Sequence, residues 1–190
     1  GTTDTQVMEV TIGTKGTEDI REKMIIKSHE DPDSWQSGAR SFRIMEELAR
    51  HSFRDGRFRV PRPLGQDSQE LILIEEGVRG KCLFDRLIRA NSEKARFYLQ
   101  LAAQWLAKLH NSKLHISMPE EFMQKEPERV AHYVSALYRI GHKHTQRVQE
   151  IANIVLGMER ALYVDFPERL VQGHGDYHPR NIFIGLDNPD

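Results

Sequence analysis

The sequence predicts a two-lobed α+β fold, sheet-rich in its first part and mainly helical in its second. Three observations predict it. Apolar strand patterns are confined to the first part, glycines at Gly77 and Gly80 interrupt the chain, and helical periodicity dominates the rest. The expected boundaries are a first lobe over 1–78 and a second over 79–190. Strands succeeded by helices, instead of strands alternating with them, mark the α+β class.

Each element has its own local signal. Met8, Val10 and Ile12 fall on one face of an extended segment from Val7, the period-2 pattern of a half-buried strand. Gly13 to Gly16 reads as a turn, and Lys23-Met24-Ile25-Ile26-Lys27 as a second, antiparallel strand. A helix starts at Asp31-Pro32-Asp33-Ser34, with Ser34 as the expected cap, and runs to Arg50 with Trp35, Ala39, Phe42, Met45 and Ala49 along one stripe. Val60-Pro61-Arg62-Pro63 is extended, because proline fixes its own φ and restricts the residue before it. Leu71 to Glu75 is a short apolar strand. Asn91-Ser92 caps a helix to His110, with Tyr98, Leu101, Ala102, Trp105 and Leu109 on its apolar face. Two further helices carry Val130, Val134 and Leu137, then Val148, Ala152, Val155, Leu156 and Leu162, before Pro167 ends the second.

Near the C-terminus stands His174-Gly175-Asp176-Tyr177-His178-Pro179-Arg180-Asn181, between Leu170-Val171 and Ile182-Phe183-Ile184. An Asp and an Asn five positions apart on a short loop suit phosphoryl transfer. The carboxylate can take a proton from an attacking hydroxyl, and the amide oxygen can hold magnesium against nucleotide phosphates. The ordinary alternative is a surface turn, since Gly, Asp, Pro and Asn all form turns. A chemical rival is a metal site: His174, Asp176 and His178 alternate onto one face if the segment is extended.

The form His-Gly-Asp-x-His-Pro-x-Asn resembles the catalytic loop of the aminoglycoside phosphotransferase and choline kinase family. Protein kinases carry the related His-Arg-Asp with Asn after four more residues, but here Gly175 replaces their Arg and His178 their usual Lys. The resemblance implies a bilobal protein-kinase-like fold, with an ATP-binding lobe over 1–78 and a helical lobe with the catalytic loop over 79–190. It implies transfer of the γ-phosphoryl group of ATP to a hydroxyl of an aminoglycoside-, choline- or sugar-like small molecule. Asp176 would be the catalytic base and Asn181 the magnesium ligand. Met24-Ile25-Ile26-Lys27 is similar to the kinase strand ending in a phosphate-binding lysine, which assigns Lys27 to ATP. Leu73 to Gly80 resembles the family's hinge, which places Glu76 at the nucleotide.

Two departures go with the resemblance. Ser41 stands where the family has the glutamate partner of the lysine, with Glu46 a possible substitute one turn beyond Phe42. The family's second metal-binding aspartate lies on a strand after the loop, whereas this chain ends at Asp187-Asn188-Pro189-Asp190, the turn before such a strand. The C-lobe is therefore expected to be truncated, and the fragment itself to be inactive if that aspartate is lost. The alternative function is a non-catalytic kinase-like module that binds nucleotide or a partner.

Composition narrows the class further. The 190 residues carry 29% charged side chains and a net charge of −1, with no long like-charge block, so no nucleic-acid or anionic-membrane partner is expected. The single cysteine, Cys82, excludes an intrachain disulfide and fits a reducing cytoplasm. The longest aliphatic run, Leu71 to Ile74, is far too short to span a bilayer.

Overall fold

The structure is a computed structural model that describes residues 5–13, 22–114, 116, 119–167 and 170–185. The turn expected at Gly13 to Gly16 lies largely outside the described residues, as do Asp187 to Asp190. The chain divides into two compact units, one of residues 1–114 with 173–190 and one of 115–172.

The first unit begins with a four-stranded antiparallel sheet in the order β1-β2-β4-β3, from β1 (Thr5–Ile12), β2 (Glu22–His29), β3 (Pro63–Asp67) and β4 (Ile72–Glu76). β1 and β2 pair without slippage from Thr5↔His29 to Ile12↔Glu22. β3 carries no β-branched residue, and its sequence shows only the extended entry at Pro63. Pairing with β4 makes it a strand, at a sheet edge where proline is tolerated and with a register shift between Pro63 and Gly65. Asp67 Oδ1 closes the β3–β4 turn by accepting from the Gln69 and Glu70 N–H groups at 2.8 and 3.1 Å.

Helix α1 (Pro32–Arg50) packs on this sheet. Its cap is Asp31 and not Ser34: Asp31 Oδ1 accepts from Asp33 N and Ser34 N, both at 2.9 Å, with Pro32 in the first turn. Those bonds hold the Asp31 carboxyl below its ordinary range, the Ser34 backbone N–H first among them. Phe42 and Leu48 are the buried side chains of α1. Gly38 lets the helix approach the sheet, since a Cβ there would lie 2.8 Å from the His29 ring and from Leu73.

β5 (Lys81–Cys82) leads into the short α2 (Leu83–Leu87), which the sequence did not predict, and then α3 (Ser92–His110). Asn91 caps α3 by accepting from Lys94 N at 2.9 Å. Ala102 and Leu109 are buried, as the periodicity predicts. Leu109 joins Leu48, Phe53 and Val60 in the core, against which Ile44, Phe58, Trp105 and Leu106 pack. β6 (Phe183–Ile184) pairs antiparallel with β5.

The second unit is a helix pair, α4 (Pro119–Arg139) and α5 (Thr145–Asp165). α4 starts well before the apolar stripe at Val130 and runs through Pro127, which costs it the bond to the Met123 carbonyl. It stops at Gly141, where the Gly141 and His142 N–H groups reach back to Tyr138 O and Leu137 O at 3.0 Å, a paired helix stop. In α5 the covered side is Thr145, Val148, Ala152 and Leu156, while Val155 and Leu162, also among its apolar residues, are exposed. Tyr163 OH donates to Glu120 at 2.5 Å, which lowers the Glu120 pKa and raises that of Tyr163.

Candidate active site

The loop before β6 forms a closed polar turn. Gly175 takes φ +82, a left-handed conformation that side chains resist, and so breaks the extended path. Beyond it Asn181 Nδ2 donates to Asp176 Oδ2 at 2.7 Å and to the Asp176 carbonyl at 3.2 Å. His178 Nε2 stands 3.5 Å from the same carboxylate oxygen. His178 Nδ1 accepts from Arg180 N at 3.2 Å, and Asn181 N donates to His178 O at 2.9 Å. The Asp176 side chain is 74% exposed, so a ligand can reach its carboxylate.

Contacts on two sides anchor this turn. Tyr177 OH donates to Ala102 O of α3 at 2.6 Å, and its ring stacks on Trp105 at 5.5 Å and 12°. Burial pushes the Tyr177 hydroxyl pKa up, so it stays a donor. Trp105 also meets His174 edge-on at 5.8 Å and Phe53 at 5.2 Å, and its Nε1–H donates to Arg59 O at 2.9 Å. On the other side, Leu83 N and Phe84 N at the start of α2 donate to Ile182 O and Pro179 O at 2.7 and 3.0 Å. The Arg180 guanidinium lies 4.2 Å over the Phe84 ring.

Gly80 makes the β5–β6 pairing possible. It has φ +118, and a Cβ there would overlap the Ile184 carbonyl oxygen. Gly80→Ala is therefore expected to cost about 2–5 kcal/mol from left-handed strain plus overpacking. Denaturant unfolding measures it, and a loss below about 1 kcal/mol would show that the pairing relaxes cheaply.

Lys27 and the hinge segment lie on the sheet of the same unit. Lys27 Nζ is 2.6 Å from Glu75 Oε1. Glu76 turns away, with Oε2 3.3 Å from Arg62 N and 3.4 Å from Arg62 Nε. Its backbone N–H donates to Arg62 O and that of Gly77 to Lys23 O, both at 2.8 Å. Ser41 is exposed and donates to Ser37 O at 3.3 Å, while Glu46 pairs with Arg50 at 2.6 Å. The sequence did not single out Glu75 as the partner of Lys27. The available signal was an acid inside the apolar run Leu71 to Glu75, since a carboxylate in a central strand needs a partner.

The metal-site rival is not supported. The turn at Gly175 destroys the alternation that would align His174, Asp176 and His178, and no group of three metal-ligating side chains occurs among the described residues. His174 is committed elsewhere, packed on Trp105 and Tyr177, with Nδ1 accepting from Asp176 N at 3.3 Å. Burial lowers its pKa, Asp176 opposes that shift and His178 adds to it. A hard cation sharing its shell with phosphates needs only one or two protein oxygens. The loop fits that sparse demand: with Nδ2 given to Asp176, Asn181 Oδ1 is left as an acceptor next to a carboxylate.

The depressed His174 pKa sets a pH dependence. Above the unfolded value of 6.5 the ring is neutral in both states and its stability contribution is complete. As pH falls through the lower folded value, the unfolded chain binds the proton first and stability is lost. Protonation at Nδ1 also removes the acceptor for Asp176 N. The melting temperature is expected to fall from pH 7 to pH 5 more steeply than in His174→Asn, and equal slopes would refute this.

Sheet, helices and loop together define a kinase-like fold. The profile of the phosphotransferase enzyme family (APH) matches residues 7–190, and the chain belongs to that family. Among solved structures it is similar to the ADP-bound aminoglycoside phosphotransferase APH(2'')-Ib, at 12% identity and a TM-score of 0.56 over 96% of this chain. It is also similar to APH(2'')-IIa in a ternary complex with streptomycin and ATP, at 12% identity and a TM-score of 0.50 over 95% of this chain. The chain spans 62% of the length of each. No curated protein matches it by sequence. No helix among the described residues is long and apolar enough to cross a membrane.

Proposed function

We propose that this chain is the nucleotide-binding and catalytic part of an ATP-dependent phosphotransferase acting on a hydroxyl of a small molecule, of aminoglycoside-, choline- or sugar-like type. The observation that carries this reading is the exposed Asp176 carboxylate fixed at 2.7 Å by Asn181. In the reaction the acceptor oxygen bonds to the γ-phosphorus, the bond from that phosphorus to the β-bridging oxygen breaks, and ADP leaves. Asp176 takes the hydroxyl proton through the oxygen that Asn181 does not hold. Magnesium would be held by Asn181 Oδ1 and the nucleotide, and it would neutralise phosphate charge. Lys27 Nζ binds the α- and β-phosphates, and the hinge backbone that follows Glu76 receives the adenine edge beyond Gly77, because the Glu76 and Gly77 N–H groups are bonded within the sheet.

Calorimetry with ATP, with and without magnesium, tests the nucleotide half of this reading. Magnesium-dependent binding is expected, weakened about tenfold or more in Lys27→Ala, the scale of a charge-assisted phosphate contact. Equal binding by the variant would move the cleft elsewhere. A second reading, nucleotide binding without transfer, is favoured by Ser41 in place of the helix glutamate. ATP turnover by the full-length gene product over a panel of hydroxyl acceptors separates the two.

A further inference from the structure

We propose that Glu75, on the strand beside Lys27, is the positioning residue that aims Lys27 at the nucleotide phosphates, in place of a carboxylate on α1. The proposal rests on the nucleotide reading above, and α1 itself supplies no such group. Of its three carboxylates, Asp33 sits in the first turn, and Glu46 and Glu47 are engaged by Arg50 and His51 at 2.6 to 3.7 Å within the helix. Ser41 is exposed and bonds its own helix.

Sheet register puts Glu75 beside Lys27 without any contribution from an α1 side chain. Ile25 lies opposite Glu75 and Lys27 opposite Leu73. Lys27 and Glu75 are therefore diagonal neighbours on one face of the β2–β4 ladder, within reach for long side chains. That face is the one α1 covers, because Leu73 and His29 both meet Gly38. The Glu75 residue is 9% exposed, and its Oε1 lies 2.6 Å from Lys27 Nζ. A carboxylate so far out of water is tolerated only with a partner. The ammonium is less buried, with its side chain 33% exposed, and so keeps donors for a ligand.

A consequence separates this arrangement from one with a helix-borne partner. A pair between adjacent strands forms whenever the sheet folds. The carboxylate that orients Lys27 then comes from the sheet and needs no acidic side chain from α1.

The test is a double-mutant cycle of Glu75→Gln and Lys27→Ala, read by MgATP calorimetry and by thermal melting without nucleotide. If Glu75 positions Lys27, Glu75→Gln weakens MgATP binding about fivefold or more in the wild-type background. In the Lys27→Ala background the same change leaves binding unaltered or tightens it, because only repulsion between Glu75 and phosphate is removed. This loss or reversal of the effect is one that a merely structural role for Glu75 would not produce. Melting covers the case in which Lys27→Ala is poorly folded: stranding Glu75 lowers the melting temperature, and adding Glu75→Gln recovers part of the loss. Coupled melting with additive effects on binding would overturn the positioning role. So would weaker binding by Lys27→Ala alongside unchanged binding by Glu75→Gln. Absence of MgATP binding by the folded wild-type chain would instead overturn the nucleotide reading on which the proposal rests.

Discussion

Asp176→Asn is expected to lower phosphoryl transfer by about 10²–10⁴-fold, the usual contribution of a positioned proton acceptor. MgATP affinity should stay close to wild type. The substitution is nearly isosteric, and its amide oxygen can still accept from Asn181 Nδ2, which holds the carboxylate at 2.7 Å. The turn also keeps its bonds from Asn181 N to His178 O and from Tyr177 OH to Ala102 O. The carboxylate charge is lost, and with it the ability to take a proton. The measurement is kcat for ATP consumption by the full-length gene product with a hydroxyl acceptor, alongside calorimetry. A fall in kcat of less than about tenfold would assign Asp176 to loop architecture, not to the reacting hydroxyl.

The loop was legible because its chemistry is local. Asp176 and Asn181 are five residues apart, so both lie within one short turn that a single segment of sequence displays. α3 was legible for a similar reason, because its 3.6-residue stripe lies within one segment. The first strand was found where alternation put it, but Met8 and Ile12, read as its half-buried face, are 58% and 51% exposed, and only Val10 of the three is partly covered. The hidden features depend on pairing between distant segments. β3 is a strand because β4 is beside it, and nothing in Pro63 to Asp67 says so alone. The partner of Lys27 is fixed by the β2–β4 register, which brings together two residues far apart in the chain. The α1 cap was misread for a subtler reason. Asp31, Asp33 and Ser34 are all capping types, and Pro32 selects the residue before it by fitting the first helical turn. The apolar residues of α5 do not by themselves fix its facing, since Val155 and Leu162 are exposed while Val148, Ala152 and Leu156 are partly covered. Thr145, a polar residue buried through its bond to His142 O at 2.6 Å, marks the true face.

Trp105→Ala carries the other large expected effect. Trp105 reads in the sequence as one more apolar residue of α3, yet its ring touches Phe53, His174 and Tyr177, and its Nε1–H bonds Arg59 O. It thus ties the segment after α1 to the candidate catalytic turn through one side chain. Truncation should cost about 3 kcal/mol, the lower end for a tryptophan because this ring is only half-buried. Trp105→Phe keeps a ring but loses the bond to Arg59, so about 1 kcal/mol is expected. The two variants separate packing from hydrogen bonding in denaturant unfolding. Transfer should fall in Trp105→Ala although no reacting group is altered, because Tyr177 loses the surface on which it stacks and Asp176 is its direct neighbour in the chain. It should fall much less in Trp105→Phe. If Trp105→Ala keeps the wild-type rate, the ring cluster is not what places Asp176. The β5–β6 pairing and the two carbonyls that receive the α2 N–H groups must then hold the turn by themselves, and Gly80→Ala would become the more damaging change.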